Sequence, residues 1–134
     1  MSKAKSKTLF FEFAQNNSGG IFIFNEQVGY STIVEADSAV EANLRAESVG
    51  VYFDGCKEGR DCPCCGDRWS RLHKGRRGTE VPSHYDKPLP GPSSLLGYWG
   101  GWIVVHPKKG KPYYFTPSKK HKTFAAAKKA ANGK

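Results

Sequence analysis

Four cysteines fall within ten residues, as Cys56-x5-Cys62-Pro63-Cys64-Cys65, and the chain holds no other. Zinc prefers thiolate ligands and a closed structural site takes four of them, so the spacing points to a zinc staple built from Cys56, Cys62, Cys64 and Cys65. That chemistry needs reduced thiols. The opening run Met1-Ser-Lys-Ala-Lys-Ser-Lys7 is basic but lacks the apolar stretch of a secretory signal, which makes a reducing compartment the expectation. Two other readings stay open: a redox pair through Cys62 and Cys65, the one Cys-x-x-Cys spacing present, and thiols that hold no metal. A bond between adjacent Cys64 and Cys65 would close a strained ring, and the same adjacency crowds a single ion. His73 or His84 is therefore a candidate to replace one cysteine.

The charge is as uneven as the cysteines. Residues 1–86 carry all twelve acidic side chains against eleven Lys and Arg, whereas residues 87–134 carry ten Lys and no acid. A second basic cluster, Arg68, Arg71, Lys74, Arg76 and Arg77, follows the cysteines directly. Both point to a polyanion or an acidic protein surface as partner, with a solvated lysine tail as the bland alternative.

These groups must be positioned by a small fold. The length of 134 residues suits one domain, and the longest apolar run, Trp102-Ile-Val-Val105, is far too short to span a membrane. Thr8–Gln15 and Ile21–Phe24 read as a hairpin around Asn16-Asn-Ser-Gly-Gly20, and Tyr30–Ala36 as a third strand. Asp37 or Ser38 should cap a helix over 39–49 that buries Val40, Leu44 and Val49 beside Ala39, Ala42 and Ala46, and Gly50 should end it. Val51–Phe53 reads as a short strand entering the cysteine loop, and 67–72 as an extended exit. Residues 75–97, rich in Gly and Pro, read as a surface loop without regular ladders. Tyr98–His106 and Lys111–Thr116 form a second hairpin with a lysine-bearing tip, and Thr123 caps a short basic helix to residue 131 pinned by Phe124.

The expected fold is therefore α+β: a mainly antiparallel sheet with one packed helix, a zinc-stapled cysteine loop and a C-terminal basic hairpin plus short helix. One compact domain would comprise segments 1–74, 75–97 and 98–134. Most phenylalanines of the first strands should be core. Trp99, Trp102, Tyr113 and Tyr114, interleaved with lysines, are candidates to stack on bases while ammonium groups hold phosphates, although core packing explains Trp102 and one tyrosine as well.

Catalysis finds no support in these motifs. The chain has no Gly-rich phosphate loop, no Ser-centred nucleophile elbow and no His-x-Glu ahead of a cysteine pair, and four cysteines around zinc would leave no open position for substrate. The candidate nucleic-acid contacts are Arg68, Arg71, Arg76, Arg77, Trp99, Lys108, Lys109, Lys111, Lys119, Lys120, Lys122, Lys128 and Lys129.

The blocks Phe11-Glu-Phe-Ala-Gln-Asn-Asn-Ser-Gly-Gly-Ile-Phe22, Val34-Glu-Ala-Asp-Ser-Ala-Val-Glu-Ala-Asn43, Tyr52-Phe-Asp-Gly-Cys56 and Asp61-Cys-Pro-Cys-Cys-Gly-Asp-Arg-Trp69 together resemble a family of small uncharacterised tailed-bacteriophage proteins. The resemblance covers roughly residues 9–72, with a weaker echo at Gly78-Thr-Glu-Val-Pro-Ser83. It implies a viral gene product in the host bacterial cytoplasm or the virion, and no activity. The leading expectation is a non-enzymatic accessory protein that binds nucleic acid or a ribonucleoprotein. Alternatives are a host-takeover or anti-defence factor bound to an acidic host protein, and a virion component. Neither a membrane nor a small-molecule substrate is expected.

Overall fold

The computed structural model describes residues 8–16, 23–84, 87–89, 102–116 and 119–132; Ile21, Phe22, Trp99, most of the first expected turn and the centre of the Pro-rich segment lie outside them. Its central sheet has five strands in the order β1 (Leu9–Ala14), β2 (Ser31–Ala36), β5 (Ile103–His106), β6 (Tyr113–Thr116) and β7 (Lys119–His121). All neighbours are antiparallel except β2 and β5, which run parallel with Ile33 beside Val105. A separate two-stranded ladder joins β3 (Ser83–His84) to β4 (Lys87–Pro88). Two helices complete the set, α1 (Ala39–Ser48) and α2 (Phe124–Asn132). The fold is thus α+β, and no helix among the described residues is long and apolar enough to cross a membrane.

Partners across a ladder share a face, so Phe11, Phe13, Val34, Ala36, Val104 and Tyr114 line one side of the sheet. On that side α1 covers β1 and β2, with Val51, Phe53 and Trp69 closing the core, while α2 covers β5 and β6 through Phe124, Ala127 and Ala131. The opposite side buries Ile33, Ile103, Val105 and Phe115 beneath Leu89, Phe10 and Tyr113. Trp102 and Tyr114 are core residues, and neither is free to stack on a base.

Four expectations need correction. The first hairpin is not formed with residues 23–24, because β1 pairs with β2. Gln15 explains why: its amide accepts the Ile23 N–H (2.8 Å) and donates to the carbonyls of Ile23 and Gly29 (both 2.7 Å), so a side chain does what a ladder would have done. Secondly, α1 buries the alanines of its expected face but not Val40 or Leu44. Ala39, Ala42, Asn43 and Ala46 are buried, while Val40 and Leu44 are 53% and 63% exposed. Small residues let the helix approach the sheet closely, and buried Asn43 grips the Leu72 backbone at both its N–H (2.9 Å) and C=O (2.8 Å). Thirdly, Val51–Phe53 is not a strand, since the Val51 N–H bonds back to Ala46 O as part of the helix end. Lastly, the Pro-rich segment does make regular pairs, through β3 and β4 and through a bridge from Thr79 to Phe10.

The helix ends follow their sequence signals. Ser38 Oγ accepts the Glu41 N–H, and Gly50, at φ 113°, takes the left-handed position that stops α1. Thr123 Oγ1 accepts the Ala126 N–H at the start of α2 (3.1 Å), and Phe124 is held edge-on to Trp102 with ring centres 5.3 Å apart.

Candidate metal loop and nucleic-acid interface

The cysteine segment is a series of tight turns closed at its base by charge. Asp61, just before Cys62, and Arg68, just after the last cysteine, are both buried. Asp61 accepts the Arg68 backbone N–H (2.7 Å) and the Tyr52 hydroxyl (2.5 Å), and lies 3.6 Å from Arg68 Nε. The guanidinium also donates to Tyr52 Oη and Gln15 Oε1. Burial and the adjacent Asp61 hold the Tyr52 phenol above its usual pKa, keeping it a neutral donor. Arg68 is therefore a structural clamp under the loop, and its place among expected nucleic-acid contacts does not fit its position.

Above the clamp, Cys65 N–H and Gly66 N–H both bond to Cys62 O (3.0 and 3.1 Å), and Cys56 Sγ donates to the same carbonyl (3.4 Å). The backbone N–H groups of Cys64 and Cys65 turn toward the Cys62 sulfur, which lowers its pKa; lost hydration and the Asp67 carboxylate raise that of Cys56. Cys64 and Cys65 are exposed. Among the described residues no group of three or more His, Cys, Asp or Glu side chains converges on a point where a metal would sit. His84 cannot join this loop, because it is buried against Glu12 (Nδ1 to Oε2, 2.5 Å) with the Tyr30 ring edge-on. Ser31 also donates to Glu12 Oε2, so its hydroxyl is turned to the carboxylate and not to an imidazole that would activate it as a nucleophile.

The basic residues separate into two groups at opposite edges of the sheet. Arg76 and Arg77 are exposed beside β1, around a small hollow with Phe10 and Thr79. Arg71 lies over the Phe53 ring and pairs with Asp54 (3.3 Å). At the other edge Lys119 and Lys120 occupy β7, Lys122 precedes α2, and Lys128 and Lys129 lie on it, with Lys109 and Lys111 on the neighbouring turn. Lys108 is the exception there. Its ammonium pairs with Asp37 (3.0 Å) and Glu41 (3.7 Å), and its N–H reaches Glu35.

A groove of about 510 Å³ opens among these lysines. Its walls are His106, Tyr114, Gln27 and Phe124, with Lys111 and Lys122 at the rim. The Tyr114 hydroxyl donates to Glu26 O (2.8 Å), and burial pushes its pKa to about 12. His106 Nε2 lies 2.7 Å from Gln27 O. The groove has no single motif in the sequence; it exists because the β6–β7 register brings Lys111 and Lys122 to the same end of the pair.

Burial holds the imidazoles of His106 and His121 below the usual histidine pKa. The unfolded chain therefore takes up these protons near pH ~6.5 before the folded chain does. The stability tied to neutral His106 and His121 should be intact above that pH and lost as pH falls toward the lower folded-state values. The melting temperature should fall between about pH 7.5 and 5.5, and fall less in an H106Q/H121Q variant; an identical fall would assign the effect to other groups.

A mixed sheet with both helices on one face, a clamped cysteine turn and a lysine-rich far edge define an α+β domain with no close structural parallel to lend it a function: no curated protein and no solved structure matches the chain. Residues 8–123 match the family described as a domain of unknown function (DUF7296), and the chain belongs to that family.

Proposed function

We propose that this protein is a non-enzymatic, phage-encoded accessory factor that binds single-stranded nucleic acid along the β6–β7–α2 edge, in the host bacterial cytoplasm or in the virion. One observation carries the reading. Seven lysines there (Lys109, Lys111, Lys119, Lys120, Lys122, Lys128 and Lys129) are exposed, and none pairs with a carboxylate among the described residues. Protein surfaces normally intersperse both signs, so an unpaired single-sign edge favours a polyanion. The test is direct titration of the purified chain with fluorescent strands of DNA and RNA, each about 20 nucleotides long, at low salt. Binding of either supports the reading, and binding of neither overturns it.

The cysteine turn we assign to zinc. What supports this is the turn that folds back on Cys62, whose carbonyl accepts from the Cys65 and Gly66 N–H groups and from the Cys56 thiol and so keeps Cys56, Cys62 and exposed Cys65 near one another. Native mass spectrometry should find one zinc per chain. Chelation should lower the melting temperature by only a few degrees, because Asp61 and Arg68 close the loop without metal. Protein purified with reduced cysteines and no metal would refute the assignment. A host-protein partner, the other reading, is favoured by the exposed pair Val40 and Leu44 on α1; nuclease-resistant capture of one host polypeptide by a chain that binds no strand would select it.

A further inference from the structure

We infer that the groove between β6 and the start of α2 is a subsite for one nucleotide of the bound strand, its phosphodiester at Lys111 and Lys122 and its base against Phe124. The inference rests on the nucleic-acid reading and names where on that edge a base is held.

The groove is large enough, since about 510 Å³ falls within the range of pockets that enclose a small ligand. Its charge also fits. Lys111 and Lys122 line it with Glu26, and Lys128 lies beside the Phe124 ring, so the rim is positive. That charge suits the negative phosphodiester of a strand. The wall groups are already committed. Tyr114 donates its hydroxyl proton to Glu26 O, and His106 meets Gln27 O, so both fix the shape of the groove and neither is spent on the ligand. Thr123 accepts from Ala126 N–H through its oxygen, which leaves its own O–H to donate to a phosphate oxygen.

Phe124 supplies the apolar wall. Its ring is held by Trp102 edge-on at 5.3 Å and by Tyr114 at 5.8 Å, with the Lys128 ammonium 5.8 Å from the ring centre, while the residue itself stays only half buried. A ring held rigid and partly open loses little freedom when a base packs against it.

The test uses the full chain and three probes: the trinucleotide dT3, a dT20 strand and inorganic phosphate. In amide NMR titrations dT3 should first shift Lys122, Thr123, Phe124 and Tyr114. A K111Q/K122Q variant should bind dT3 at least about tenfold more weakly, and Phe124→Leu should do the same by losing the ring. A K57Q/R60Q variant removes equal charge at exposed positions outside both basic clusters and should change neither dT3 nor dT20 binding. If dT20 binds while dT3 shifts other residues or none, the groove assignment falls and the nucleic-acid reading stands. If phosphate binds as tightly as dT3, or Phe124→Leu has no effect, the base contact is wrong and the assignment falls. If neither strand binds, both fall together.

Discussion

Replacing Asp61 by alanine should cost the fold about 3–5 kcal/mol, the usual penalty for leaving a buried charge without its partner. The Asp61 carboxylate is fully enclosed and Arg68 is 6% exposed, so solvent offers the orphaned guanidinium little relief. The substitution also removes the acceptor of the Arg68 N–H and the Tyr52 hydroxyl. For a domain of this size the melting temperature should fall by roughly 10–20 °C. A D61L/R68M variant, which removes both charges, should recover part of the stability, as apolar replacements of buried ion pairs do elsewhere. Gly55 reports the same tight fit, because a Cβ there would collide with the Asp61 carboxylate. If D61A melted within about 3 °C of the native chain, the clamp would not be what closes the cysteine loop.

The clamp also marks where sequence reading stops. Asp61 looks like a turn residue and Arg68 like the first member of an exposed basic run, because a sequence displays charge without displaying burial. Only the turn geometry of residues 54–67 brings the two together beneath the cysteines. Local signals fared better: Ser38, one of two cap candidates, Gly50 and Thr123 each fixed a helix end through its nearest neighbours. The inward face of α1 was less legible. A rule that buries the largest apolar residues chooses Val40 and Leu44, whereas close approach to the sheet selects alanines and the hydrogen-bonding Asn43. The expected pairing of residues 23–24 failed for a related reason, since nothing in the chain announces that the Gln15 side chain will take the backbone partners of Ile23. The lysine edge was visible as composition; the groove within it required the β6–β7 register.

Changing Lys119, Lys120, Lys122, Lys128 and Lys129 together to glutamine should weaken strand binding by on the order of a hundredfold at low salt, since a phosphate that meets no ammonium group keeps its condensed counterions and gains nothing from their release. Folding should survive, because all five side chains are exposed and none carries a salt bridge among the described residues. An R76Q/R77Q variant at the opposite edge of the sheet should have a much smaller effect. Equal weakening in both variants would mean that binding is spread over the whole surface. An unchanged affinity in the lysine variant would move the interface elsewhere.

The most direct measurement is the affinity of the native chain for a single strand across a salt series from about 50 to 300 mM. If four to seven of the unpaired lysines meet phosphates, the log–log slope should lie near about −3 to −5, and the five-lysine variant should flatten it by several units. A slope near zero, or the same slope in both proteins, would contradict phosphate binding by the β6–β7–α2 edge.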